Sequence, residues 1–254
     1  MTAATPSGSQ GQRPGHTIWI RLCHWLIVAS VLTLAYSGVF ILMAHPRLYW
    51  GSVGNDLTPA LIELPLGPNH GHGSWAPAAP FTADAGAPVS RSRIGDIYNQ
   101  NGWARSLHFM LAWLLVASAA AYGLTGLITG HFRRAIVPRA DELSPGLFWR
   151  DLRAHLLMRI KPAAGGPPYG LLQKCAYVAV VFIALPTMVL TGLSMSPAVG
   201  AAWPWIPALF GGSQSARTIH FVFLCLLMLF LLIHVLMVVM SGFWRQMRAM
   251  TWGR

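Results

Sequence analysis

Charge is scarce in this chain. Only 10% of its 254 residues are Asp, Glu, Lys or Arg, and only seven of those are acidic. Soluble domains carry about a quarter charged residues, so this balance, with 54% hydrophobic residues, excludes an ordinary soluble domain. Cysteine is scarce too. Cys23, Cys175 and Cys225 all fall in or beside apolar runs and read as small hydrophobes. No Cys-x-x-Cys occurs, which excludes a paired-thiolate zinc site and a redox dithiol; no Cys-x-x-Cys-His occurs, which excludes covalent c-type haem attachment. The seven acids are scattered in loops, and neither a phosphate-cradling glycine motif nor a nucleophile–base pair stands out. Nothing points to an independent enzyme.

Long apolar runs are what the chain has instead. Four are expected as helices, at about 18–43, 107–129, 171–195 and 219–242. Each is long enough to cross a hydrocarbon core of about 30 Å at about 1.5 Å per residue. The first is too long for the core of a cleaved signal peptide and reads as a signal anchor. The expected fold is therefore an all-α membrane protein, a four-transmembrane-helix bundle. Residues 1–16 read as a disordered tail, 17–244 as the membrane domain and 245–254 as a second tail.

The net charge of +11 suggests nucleic acid at first sight. Its distribution excludes that. Arg133, Arg134, Arg139, Arg150, Arg153, Arg159, Lys161 and Lys174 crowd the middle connection, and Arg245, Arg248 and Arg254 follow the last run. The stretch 44–102 holds three Arg and four acids, and 196–216 holds no charge. Lys and Arg favour the cytoplasmic side, so both termini and the middle connection are expected in the cytoplasm of a bacterial inner membrane. In the middle connection, Ser144 and Pro145 open a short interfacial helix with Leu147, Phe148, Leu152, Leu156 and Leu157 on one stripe. His155 on it reads as an interfacial side chain. The outer connection 44–102 is expected as a long periplasmic loop, and no regular structure is expected of the "GPNHGHGSWAPAAP" within it. Its His45, His70 and His72, together with His16 and His131, read as solvated or helix-end side chains.

Four histidines lie inside the runs. His220 and His234 are separated by thirteen apolar residues. Fourteen helical residues rise about 21 Å and turn about 40° short of four full turns, which puts both on nearly one face at different depths. His24 lies near the inner end of the first run, and His108 opens the second from the outer side. Depth matches His108 with His220, and His24 with His234. Two imidazoles facing each other at one depth, twice over, suit two haems b, each iron taking an axial ligand from either face. Arg21, Arg105 and Arg217 each stand three residues before a histidine, one turn toward water, where guanidinium can meet a haem propionate. Gly38 and Gly123 stand fourteen and fifteen residues after His24 and His108, where a missing Cβ gives a macrocycle room. The third run has no histidine. Pro186 is expected to kink it, and it reads as a wall of the bundle.

At these residues the chain resembles the integral-membrane cytochrome b subunits of nickel–iron hydrogenases, formate dehydrogenases and thiosulfate reductases. The resemblance rests on "RLCHWLIVASVLTLAYSG", "GWARSLHFMLAW", "PTMVLTGLSMSP" and "RTIHFVFLCLLMLFLLIHV", and covers about 18–244 apart from the long outer loop. It implies four axial ligands, His24 and His234 for an inner haem iron and His108 and His220 for an outer one. It also implies a quinone site near the inner haem, for which Arg21, Trp25 and Tyr177 are candidates, and a periplasmic catalytic partner. "HPRLYWGSVGND" leans toward thiosulfate-reductase-type members, which accompany molybdenum-cofactor oxidoreductases. The function expected is electron transfer across the membrane between the quinone pool and a periplasmic oxidoreductase subunit, molybdenum-dependent or hydrogenase-like. One alternative is a stand-alone cytochrome b passing electrons from a soluble donor to quinone. Two of another class are a His-based proton or metal transporter, which would call for intramembrane acids this chain lacks, and a haem-free anchor.

Overall fold

The structure, a computed structural model, describes residues 16–54, 58–66, 102–157 and 170–253. Most of the N-terminal tail and "GPNHGHGSWAPAAP", with His70 and His72, lie outside the described residues. Four helices are long and apolar enough to cross a membrane: α1 (Ile18–Ala44), α2 (Gly102–Ile128), α4 (Leu171–Ser194) and α7 (Ser213–Met240). Shorter helices are α3 (Pro145–Leu156), α5 (Pro197–Ala202), α6 (Trp205–Leu209) and α8 (Phe243–Thr251). The fold is an all-α four-helix membrane bundle.

The long helices form two antiparallel pairs. In the first, Trp19 at the start of α1 meets Tyr122 near the end of α2, and Phe40 near the end of α1 meets Trp103 at the start of α2. In the second, Thr191 late in α4 touches His220 early in α7, and Tyr177 early in α4 packs on Phe230. The residues buried between helices are small: Ser30, Ser37, Ala104, Ser118, Thr191, Ser194, Ala216 and Thr218. The large apolar side chains point outward, with Leu127, Ile128 and Leu232 each more than two-thirds exposed. Lipid rewards this inverted arrangement, because small residues let backbones approach and the hydrophobic effect does not drive helices together there. Tryptophans collect at both ends. Trp50, Trp103, Trp203 and Trp205 ring one end, and Trp149, Trp244 and Trp252 the other, all exposed, as interfacial aromatic belts require.

Two long helices begin earlier than hydropathy alone predicts, α2 at Gly102 and α7 at Ser213. Their first turns are polar, "GWARS" and "SQSART", and extend the helix toward water. The distortion expected at Pro186 takes the form of a wide π turn over Ala179–Ala184. Proline lacks an N–H and crowds the carbonyl four residues back, and widening the preceding turn relieves that conflict. The short helix α3 starts at Pro145 as expected, although the Ser144 hydroxyl makes no bond to it.

The start of the outer connection has regular structure that the sequence reading did not anticipate. Arg47–Leu48 and Ile62–Glu63 form a small antiparallel ladder, β1 and β2, with Arg47 opposite Glu63. Their side chains pair at 3.2 Å, and Leu48 and Tyr49 are buried. The chain then caps α7. The Gly51 carbonyl accepts from the Gln214 and Ser215 N–H groups at 3.0 and 3.1 Å, satisfying donors that a helix start leaves open. Gly51 N–H donates to Ser215 Oγ at 2.6 Å, and Thr218 Oγ1 donates to the Tyr49 carbonyl at 2.6 Å. Gly212 permits this approach: its φ is +123°, and a Cβ there would sit 2.4 Å from the Gly51 oxygen. The loop thus locks the start of α7, ahead of His220.

Candidate functional site

The antiparallel pairing sets α2 and α7 running in the same direction, so His108 and His220, both near their starts, fall at one level. Their ring centroids are 6.5 Å apart, with planes inclined at 56°. Each ring is gripped from behind by a neighbouring helix. His108 Nδ1 lies 2.9 Å from Ser37 Oγ of α1, and His220 Nδ1 lies 2.8 Å from Thr191 Oγ1 of α4. A glycine follows each hydroxyl residue and faces the same ring. A Cβ on Gly38 would stand 3.5 Å from His108 Cε1, and one on Gly192 would stand 3.7 Å from His220 Cε1. With Nδ1 and Cε1 so engaged, Nε2 is the ring atom left to bind a ligand. Imidazole binds first-row metal ions at about 2 Å, so two imidazoles on opposite sides of one ion hold their centroids roughly 6 Å apart. The outer pair meets that spacing.

The second layer lies at the other end of α1 and α7. His24 and His234 are close enough to interact electrostatically. Phe230 stacks on His234 at 5.8 Å and 18°, and Trp25 meets His24 edge-on at 5.2 Å. His24 Nδ1 is buried without a hydrogen-bond partner among the described residues. Leaving such a group unpaired costs about 1–3 kcal/mol. Tyr177 reaches this layer through Phe230, with ring centroids 6.3 Å apart.

The three arginines take different positions. Arg21 donates to the Thr251 carbonyl at 2.9 Å while its Nε is buried without a partner. Trp25 Nε1 donates to the Met250 carbonyl at 3.1 Å, so α8 folds back over the inner end of α1. Arg217 donates to the His45 carbonyl at the outer end. Arg105 is exposed. Of the two glycines expected to admit a macrocycle, Gly38 faces an imidazole, and Gly123 has open space where its Cβ would be. His155 sits apart, with Nδ1 2.8 Å from the Asp151 carbonyl. The described cysteines are free. Among the described residues no three His, Cys, Asp or Glu side chains gather as a metal cage. One facing histidine pair, His108 with His220, is the arrangement present.

The sequence reading missed Ser37 and Thr191, and took Gly192 with the rest of α4 as a wall of the bundle. A signal was there: a hydroxyl residue followed by glycine, Ser37-Gly38 and Thr191-Gly192, occurs late in both α1 and α4.

No solved structure matches the chain. A protein of Azospira oryzae named as the protein-methionine-sulfoxide reductase subunit YedZ1 is 26% identical over 226 residues, covering 88% of this chain and 89% of that one. The family model described as prokaryotic cytochrome b561 matches residues 15–253. That match spans all four long helices and both histidine layers, so the chain belongs to the prokaryotic cytochrome b561 family, as a multi-pass membrane cytochrome b that holds haem b and serves electron transfer.

Proposed function

We propose that the protein is a dihaem cytochrome b carrying electrons across a bacterial inner membrane, between the quinone pool and a periplasmic oxidoreductase subunit. The observation that carries this reading is the 6.5 Å separation of His108 and His220, combined with His234 fourteen residues further along α7. One helix thereby serves two layers roughly 21 Å apart along its axis. Haem, when bound, supplies the one-electron chemistry. The chain supplies the rest. His108 and His220 would hold the outer iron, and His24 and His234 the inner one. Arg105 and Arg217 stand one turn outward of the outer pair, and Arg21 one turn outward of the inner pair, as cations for propionates. Gly38 leaves space for the His108 ring, and Gly123 leaves space on α2.

The excess of Lys and Arg in 132–174 and after α7 supports cytoplasmic termini, with the inner layer on that side. Arg21, Trp25 and Tyr177 flank the inner layer and are the residues on which a quinone would bear. At the opposite end, β1, β2 and the start of α7 form a braced surface beside the outer pair, suited to a periplasmic redox partner. The name of the Azospira relative favours a partner of the methionine-sulfoxide-reductase kind over the hydrogenase or thiosulfate-reductase kinds.

The test is reduction of the detergent-purified protein by a water-soluble quinol, followed by visible absorption. Low-spin b-type bands appearing with two haems per chain are expected. A folded, colourless protein would overturn the reading, and a coloured protein that quinol does not reduce would remove quinone from it.

A further inference from the structure

The two hydroxyls behind the outer imidazoles can be read for the direction of their hydrogen bonds. A hydroxyl carries one proton. Ser37 Oγ lies 2.9 Å from the Thr33 carbonyl oxygen and 3.2 Å from that of Leu34, and donates to them. Thr191 Oγ1 donates likewise to the carbonyls of Thr187 at 2.7 Å and Met188 at 3.2 Å. Carbonyls only accept, so each hydroxyl proton is committed to its own helix. What faces the imidazole is an oxygen lone pair, and the nitrogen opposite must bring the proton. This bonding pattern favours a hydrogen on Nδ1 in both rings, with Nε2 keeping its lone pair.

We infer that Ser37 and Thr191 are positioning residues for the outer layer: each accepts the Nδ1 proton of one imidazole, fixing the tautomer and ring orientation in which Nε2 is ready for iron. This rests on the haem-ligand reading of His108 and His220. It extends that reading, because it gives α4, which has no histidine, a part in ligation. An acceptor behind a metal-bound imidazole makes the ring a stronger donor and holds it in place. The inner layer has no such device. Neither His24 nor His234 makes a hydrogen bond among the described residues, and Ser30 Oγ, also on α1, is buried without a partner. The two layers are thus built differently, and the outer haem is the one whose affinity and potential depend on helix hydroxyls.

The test uses the full-length protein as Thr191→Val, Ser37→Ala and the conservative Thr191→Ser. Haem titration of the haem-free protein should show outer-site affinity falling about 10- to 100-fold in Thr191→Val and Ser37→Ala. It should stay near wild type in Thr191→Ser, with the inner site unmoved in all three. In a redox titration the outer centre should shift to higher potential in the first two variants only. Nitrogen-15 spectra of histidine in the haem-free wild type should show His108 and His220 protonated at Nδ1. An Nε2–H tautomer there, or Thr191→Val with unchanged outer affinity and potential, would overturn the inference. Failure of every form to take up haem would instead overturn the proposed function, and the tautomer spectra would still decide the hydroxyl assignment.

Discussion

Trp25 and Met250 are joined across almost the whole chain: the indole N–H of Trp25 donates to the Met250 carbonyl at 3.1 Å. With Arg21 donating to the neighbouring Thr251 carbonyl, this ties α8 to the inner end of α1, beside His24. Trp25→Phe keeps an aromatic ring against His24 and removes one bond. We expect a loss of about 0.5–1.5 kcal/mol, the ordinary net worth of such a bond, read as a small drop in melting temperature. The inner haem spectrum should shift and the outer should not. A variant that perturbs the outer haem instead would contradict this placement.

Gly38 and His108 set a size limit at the outer layer. A Cβ at 3.5 Å from Cε1 is ordinary contact, so Gly38→Ala should keep the outer haem. Gly38→Leu extends into the space of the ring and should expel that haem while leaving the inner one. Haem content and reduced spectra of the two variants distinguish these outcomes.

Lys174 and Glu142 brace the inner connection to α4. The buried Lys174 ammonium sits 2.7 Å from both Glu142 oxygens. Its hydrogen bond holds the Glu142 carboxyl below its ordinary range, aided by the Arg139 backbone N–H. A carboxyl lowered in the folded state stabilises that state fully above its unfolded value, and the contribution fades as pH falls through the lowered one. Wild type should therefore lose stability on acidification below the ordinary carboxylate range, and Glu142→Gln should lose less over the same interval. Glu142→Gln should be less stable than wild type at neutral pH, because it leaves Lys174 buried without its anion. Because Glu142 is part exposed, solvent screening limits the effect to the low end of a buried pair. Thermal melts between pH 3 and pH 8 check the sign.

The four long helices were legible in the sequence, since lipid demands unbroken apolar runs and this chain has four. The meeting of His108 with His220 followed from counting depth along two helices, α2 and α7, that enter the membrane from the same side. The contribution of α4 was not legible. Serine and threonine in membrane helices commonly bond their own backbone, and Thr191 does so, which hides its second contact with His220. The β1–β2 ladder was hidden for another reason. Strands of two residues carry no alternation to read, and the ladder exists because Arg47 meets Glu63 and Gly51 caps α7, contacts distant in sequence. The helix starts at Gly102 and Ser213 were misplaced because hydropathy marks the lipid-facing part of a helix and not its polar first turns.

The central claim is that imidazoles from separate helices grip two irons, one in each layer. The haem-to-protein ratio of purified His220→Ala, set against wild type and His24→Ala, addresses it most directly. Two b haems per chain are expected in wild type and one in each variant, His220→Ala keeping the inner spectrum and His24→Ala the outer. A His220→Ala protein that still holds two haems with unchanged low-spin bands would contradict the account.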